Sequence, residues 1–187
     1  MEFGAVNLNT MAKKKNFWDN YLFVAVVLGI VLVMLCFFRR TVVSGHSMDS
    51  TFFNGQNLVC ARTEYNNNVT IDNGDIVVVD SEVFKTLIVK RVIGTPGDTI
   101  QIKDNVLYLN GVAMKEDYIN EPMDTEDIPA FVLGEGEYFV MGDNRNRSSD
   151  SRRIGPVTEA EMYGKVVFDF YNMSGIEIPA EFSQFRN

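Results

Sequence analysis

The chain has 187 residues, 46% hydrophobic and 22% charged, a composition that suits one folded domain of moderate size plus an apolar segment and excludes a disordered bulk. Charge is split: residues 1–40 carry five Lys/Arg against two Asp/Glu (net +3), residues 41–187 twelve against twenty-three (net −11), so the larger part is a poor nucleic-acid binder. Two cysteines, Cys36 and Cys60, and a single histidine, His46, leave no disulfide framework and no Cys/His zinc spacing, and no cofactor is implied.

Eighteen consecutive residues, 21–38, carry no charge. At about 1.5 Å per residue they reach roughly 27 Å, close to the ~30 Å of a bilayer's hydrocarbon core. They predict a single transmembrane helix over 21–38, after a short cytoplasmic tail over 1–20, with Trp18 and Tyr21 suited to the interface. The run exceeds the ~7–15-residue apolar core of a cleavable signal and ends in Arg39-Arg40, not in a small-residue cleavage site, so an uncleaved anchor is favoured. Met34-Leu35 are too large for a lipoprotein-type site before Cys36. Lys13-Lys14-Lys15 compete with Arg39-Arg40 for the inner side, and the short tail is taken as the cytoplasmic end. Met11-Ala12-Lys13 reads as an alternative start.

Beyond Thr51 the pattern is β. Short β-branched runs at 58–61, 75–80 and 86–93 are bounded by turn residues at Asn66-Asn67-Asn68 and Asp72-Asn73-Gly74. Gly94-Thr95-Pro96-Gly97-Asp98 makes a constrained connection to Ile100-Gln101-Ile102, a turn at Lys103-Asp104-Asn105, and Val106-Leu107-Tyr108-Leu109 before Asn110-Gly111, which is hairpin chemistry. The acidic stretch 115–130 shows little periodicity and reads as a surface loop of a small subdomain. Strands return at 136–142 and 165–171, and the one helical pattern past the anchor is at 159–163.

Between anchor and first strand stands Ser44-Gly45-His46-Ser47-Met48, a small-residue turn with a candidate nucleophile, Ser47. Neighbours on an extended chain point to opposite faces, so His46 is badly placed to serve Ser47 as base, and a Ser-His-Asp triad is improbable. No His-Glu-x-x-His occurs, the apolar run holds no ionisable residue, and Gly45-His46-Ser47-Met48-Asp49 misses the Gly-x-Ser-x-Gly elbow at its last position. A lysine can act as base when burial lowers its pKa towards neutrality. Lys90 is the candidate, since its same-face neighbours are Ile88 and Val92; the bland alternative is an edge-strand lysine that deters aggregation. Arg91 is flanked by apolar residues too, but a guanidinium does not release its proton near neutral pH.

These residues resemble the type I bacterial signal peptidases, and the resemblance covers most of the chain past the anchor. Ser44-Gly45-His46-Ser47-Met48-Asp49-Ser50-Thr51 is similar to the family's nucleophile box, Gly74-Asp75-Ile76-Val77-Val78 to its next strand, and Lys90-Arg91-Val92-Ile93-Gly94-Thr95-Pro96-Gly97-Asp98 to its lysine box. Gly142-Asp143-Asn144-Arg145-Asn146-Arg147-Ser148-Ser149-Asp150-Ser151-Arg152 is similar to its last box. By position, the resemblance implies Ser47 as nucleophile, Lys90 as general base, Ser148 as the hydroxyl that orients the amine, Asp150 with Arg152 as a supporting ion pair, and Asp143 and Asn144 as residues holding the turn near the site. The Ser47 backbone N–H would be an oxyanion donor, and Gly45 and Met48 would meet substrate. Two positions depart from the commoner pattern: Ser50 stands where the family usually has proline, and Gly45 where part of it has a serine, as in the Gram-positive branch, which the short segment between the last two boxes also resembles.

The resemblance implies a mainly β protein: the N-terminal transmembrane helix, then an all-β catalytic domain over 39–187 with a small inserted β subdomain over about 99–137. It implies a serine endopeptidase of the bacterial cell membrane, its domain outside, that cuts secretory preproteins after an Ala-x-Ala-like pattern; its partners are signal peptides and membrane lipid, with no nucleic acid and no metal. Met48, Phe52 and Phe53 either dip into the interface or pack onto the domain. Two other readings share features with this chain: a LexA-like Ser/Lys autoprotease, which would carry a DNA-binding domain in place of the anchor, and a non-catalytic anchored β-domain, which would be expected to lack Ser47 or Lys90.

Overall fold

A computed structural model of the chain describes the backbone of residues 8–63 and 69–186 and the side chains of these from residue 21 onward. The expected turn at Asn66-Asn67-Asn68 lies outside the residues so described. Two units are distinguished, residues 1–37 and 38–187. In the first, helix α1 (Leu8–Phe37) contains no proline and runs as one 30-residue segment. Its side chains from Tyr21 to Phe37 are exposed, Leu22 and Leu35 each by 66%. Among the described residues no helix is long and apolar enough to cross a membrane. The apolar run ends one residue earlier in helix than its charge pattern suggests, because Phe38 already belongs to a strand.

The second unit is mainly β. Its larger sheet has eight strands: β1 (Phe38–Val42), β2 (Asn57–Arg62), β3 (Ile76–Ser81), β4 (Thr86–Gly94), and, later in the chain, strands 137–141, 157–158, 162–169 and 174–175. The β-branched runs that mark β3 and β4 in the sequence are buried on both faces, as Val and Ile side chains stand well on a pleated surface. β4 is not an edge: it pairs antiparallel with β3 from Ile76↔Arg91 to Ser81↔Thr86, and on its other side with Arg91↔Met141 and Val92↔Val140. The edge-strand account of Lys90 is thereby excluded.

Between β4 and the strand at 137–141 the chain leaves to form a smaller sheet of β5 (Thr99–Lys103), β6 (Val106–Leu109), β7 (Val112–Ala113) and β8 (Ile128–Val132), ordered β7-β6-β5-β8. Ile100, Ile102, Leu107 and Leu109 alternate inward from it onto Phe139, Met141 and Phe182. The chain then re-enters the large sheet as β9 (Glu137–Met141), makes one turn of helix α2 (Ser151–Ile154), and adds β10 (Val157–Thr158), β11 (Met162–Asp169) and β12 (Ser174–Gly175), giving the order β1-β2-β11-β3-β4-β9-β10 with β12 against β11.

The helical pattern at 159–163 is realised differently. Thr158 and Glu161 close a capping box around a single 3-10 turn, Glu159–Glu161, and Met162 then turns into the core as the first residue of β11. That strand spans 162–169, where the sequence placed 165–171.

Candidate active site

Val43, Met48 and Phe52 are buried together beneath the turn that carries Ser47, packed on Leu58, Ile76 and Val89. Three apolar anchors flank one half-buried serine, so the turn is pinned from below. Met48 is 1% exposed, and burying its side chain beneath the turn is worth about 1.5–3 kcal/mol. Phe52 is buried likewise, and Phe53 is exposed. Gly45 sits at φ +94°, where a Cβ would be strained, its N–H donating to Asn54 Oδ1 over 2.9 Å and its Cα facing open space. A serine there, as in the other branch, would be strained in this backbone.

Lys90 projects from the middle of β4, 3% exposed, and its Nζ lies 2.7 Å from Ser47 Oγ and 2.9 Å from the Val89 carbonyl. Burial is the dominant influence and lowers the Lys90 pKa to about 8; Asp150 and Asp143 push it up but do not prevail, and Arg152 helps to lower it. Neither carboxylate pairs with the lysine, for each has an arginine of its own. Arg91 Nε and Nη2 donate to Asp143 over 2.8 and 2.6 Å, and Arg152 Nε and Nη2 donate to Asp150 over 2.9 Å each. Burial alone would raise the Asp150 carboxyl; the Arg152 guanidinium, with Ser148 and the Gly142 N–H, outweighs it and holds the group below its usual value. As an amine Nζ can accept the Ser47 proton and donate to Val89 O at once, an arrangement suited to proton abstraction.

Asn144 fixes the turn from the other side, its backbone N–H donating to Ser47 O over 3.0 Å and its side-chain amide to His46 O over 2.9 Å. Ser148 lies beside this loop, its Oγ buried and turned towards the Cα of Gly142, and the contacts of the amine are Ser47 Oγ and Val89 O. His46 is exposed and pairs through Nδ1 with Asp49 Oδ2 at 2.9 Å. No group of three or more His, Cys, Asp or Glu side chains suited to a metal occurs among the described residues.

The profile of the family described as "Signal peptidase, peptidase S26" matches residues 17–171. The chain belongs to the signal peptidase family. It is 37% identical over 170 residues to a signal peptidase I of Bacillus licheniformis, covering 85% of this chain and 90% of that one. Signal peptidase I T of Bacillus subtilis is 35% identical over 179 residues, 88% and 92% of the two chains. Among solved structures, a signal peptidase I from Enterococcus faecalis V583 is 36% identical and covers 51% of this chain and 96% of that one, with a TM-score of 0.46. Family membership makes this chain a serine peptidase, a hydrolase.

The peptidase's site holds side chains that the sequence reading passed over. Arg91, set aside as unable to act as base, is 1% exposed and clamps Asp143; Thr51 donates to the same carboxylate over 2.5 Å. Arg145 was quoted in the last box without a role, and Glu116 and Tyr118 were assigned to a surface loop. A signal for the two arginines was present: an arginine amid apolar strand residues, or in a box with buried neighbours, is rarely buried without a carboxylate partner.

Proposed function

We propose that this chain is a membrane-anchored signal peptidase of the Ser/Lys type, which removes signal peptides from secretory preproteins by cutting after an Ala-x-Ala-like pattern. The observation that carries the reading is the 2.7 Å approach of a buried, pKa-lowered Lys90 to Ser47. In the mechanism, Ser47 Oγ attacks the scissile carbonyl as its proton passes to the Lys90 amine, and the Ser47 N–H donates to the developing oxyanion. The Lys90 ammonium returns the proton to the leaving amine, which departs as the mature protein's N-terminus. A water, deprotonated by the same lysine, then attacks the acyl carbonyl; the Ser47 Oγ–C bond breaks, Oγ takes the proton back from the ammonium, and the signal peptide leaves as its C-terminal acid. Asp143, Asn144, Asp150 and Arg152 keep the turn and the lysine's surroundings in place, and Ser148 completes that shell.

The anchor belongs to the same reading. Residues 21–38 form a single transmembrane span within α1, residues 1–20 the cytoplasmic tail and residues 39–187 the catalytic domain outside a bacterial cell membrane, with the sheet over about 99–137 as its cap. The uncharged run and the exposure of its described side chains support this. The test is to incubate the purified full chain, in detergent, with an Ala-x-Ala preprotein and read the new N-terminus. Cleavage after the second alanine, absent in Ser47→Ala, is expected. Cleavage elsewhere, or undiminished cleavage by Ser47→Ala, overturns it.

A further inference from the structure

Arg145 lies two residues from Asp143, and its guanidinium is fully buried. Nε donates to Gly142 O over 3.1 Å, Nη1 to Glu116 Oε2 over 2.6 Å, and Nη2 to the Tyr118 hydroxyl over 2.8 Å, with Glu116 Oε1 2.6 Å away. The Tyr118 hydroxyl donates in turn to Glu116 Oε1 over 2.7 Å. Burial pushes that hydroxyl's pKa well above its usual value, so it remains a donor. Glu116 and Tyr118 come from the segment that joins β7 to β8 in the smaller sheet, twenty-seven or more residues away in sequence from Arg145.

The Tyr118 ring is shared further. The Arg91 guanidinium stands 4.6 Å from its centroid and the Arg145 guanidinium 5.6 Å, while Phe182 packs on it at 5.9 Å. Tyr118 therefore touches both arginines that grip the loop 142–145: Arg91 through Asp143, and Arg145 through the Gly142 carbonyl. Asn146 adds a parallel tie, donating to Pro122 O and accepting from Asp124 N. The same loop presents Asn144, whose two donors hold the Ser47 and His46 carbonyls.

We infer that Tyr118 and Glu116 are positioning residues for the peptidase reaction: through Arg145 they lock loop 142–145, and so set the orientation of the Ser47 peptide and its oxyanion-facing N–H. The inference rests on Ser47 being the nucleophile. A buried guanidinium with a planar fork has one satisfied geometry here, and the cap segment supplies its two outer partners. The cap thereby acts on turnover without touching the reacting atoms, since displacing a nucleophile's peptide by a fraction of an ångström lowers the rate more than it weakens substrate binding.

The experiment uses the full chain in detergent with a preprotein substrate. Tyr118→Phe keeps the ring against Arg91 and Phe182 and removes only the hydroxyl that Arg145 needs; Glu116→Gln keeps the shape and removes the charge. Both are expected to lower kcat about tenfold or more with KM within about twofold. The Tyr118→Phe and Asn144→Ala double variant is expected to lose less than the product of the two single losses, because both changes loosen the same loop 142–145. Unchanged kcat in both single variants, a drop in melting temperature without a drop in kcat of the folded enzyme, or losses that multiply in the double variant would each overturn it. Ser47→Ala is run alongside: activity in that variant refutes the nucleophile reading itself, whereas an inactive Ser47→Ala beside a fully active Tyr118→Phe refutes the positioning alone.

Discussion

Arg91 and Asp143 form a two-point ion pair with 2% and 0% of their side chains exposed, and Arg91 Nη1 also donates to Gly74 O over 2.9 Å. Burial disfavours the guanidinium's charge, but Asp143 outweighs it and holds the Arg91 pKa above its usual value. The pair ties the start of β3 to the loop that carries Asn144. Replacing Asp143 by alanine leaves a buried guanidinium uncompensated, which costs about 3–5 kcal/mol. Chemical denaturation of Asp143→Ala should show a loss of that size, and Arg91→Met with Asp143→Leu together should recover a large part of it. A loss under about 1 kcal/mol in the single variant would mean that the charge finds water or another partner.

Gly142 is the closest-packed point of the site. A Cβ there would stand 2.3 Å from Ser148 Oγ and 2.4 Å from Ser47 O, distances that no relaxation of a rotamer removes because the second contact is backbone. Gly142→Ala should therefore push the Ser47 turn off Lys90 and lower kcat about a hundredfold or more, since roughly 1 Å of misplacement suffices. A preprotein assay on folded Gly142→Ala checks it; activity near that of the parent would show that the turn yields without cost.

Ser50 occupies φ +106° with its hydroxyl buried and unpartnered. A non-glycine residue held there costs about 1–3 kcal/mol, whereas glycine adopts it freely at an entropic cost below about 1 kcal/mol. Ser50→Gly is expected to stabilise the domain by about 1 kcal/mol, read as a rise in melting temperature. Ser50→Pro, the residue usual in the family, is expected to destabilise this chain: proline fixes φ near −65°, so the turn after the nucleophile would have to be rebuilt.

What could be read in advance follows from the range of the interactions involved. β3 and β4 were legible because runs of Val and Ile report their own burial, and the hairpin of β5 and β6 because Lys103-Asp104-Asn105 supplies two residues at positive φ. The 3-10 turn at Glu159–Glu161 was misread because a capping box followed by an apolar residue looks the same whether a helix or a strand comes next. Ser47 and Lys90 were singled out by chemistry and resemblance, yet their meeting across the fold is a matter of β4 lying beneath the turn, which no local pattern encodes. Tyr118 and Glu116 were lost for the same reason: an acidic, aperiodic segment looks solvated unless the arginine that it closes over is known.

Lys90 carries the last prediction, because burial sets both a rate and a stability. Its pKa falls from an ordinary value near 10.5 to about 8, so the unfolded chain holds this proton over a pH range in which the folded chain has released it. Between about pH 8 and 10.5 the unfolded state binds more protons, and stability gained through this group rises with pH by about 1.4 kcal/mol per unit. Below pH 8 both states are protonated and the full penalty for the buried ammonium, roughly 3 kcal/mol, is present. Lys90→Met removes that penalty: it should be inactive yet more stable than the parent at pH 7, with the advantage shrinking as pH rises from 8 towards 10.5. Activity runs the opposite way. The parent's kcat/KM should climb with pH through a limb near 8, and His46→Ala should leave that limb in place. Lys90→Arg keeps the charge but has no lone pair to offer at any pH where the fold survives, so it should be as inactive as Lys90→Met. Substantial turnover by Lys90→Arg, or a limb that vanishes with His46, would remove Lys90 from the role of base, since only a group that gives up its proton can take one from Ser47.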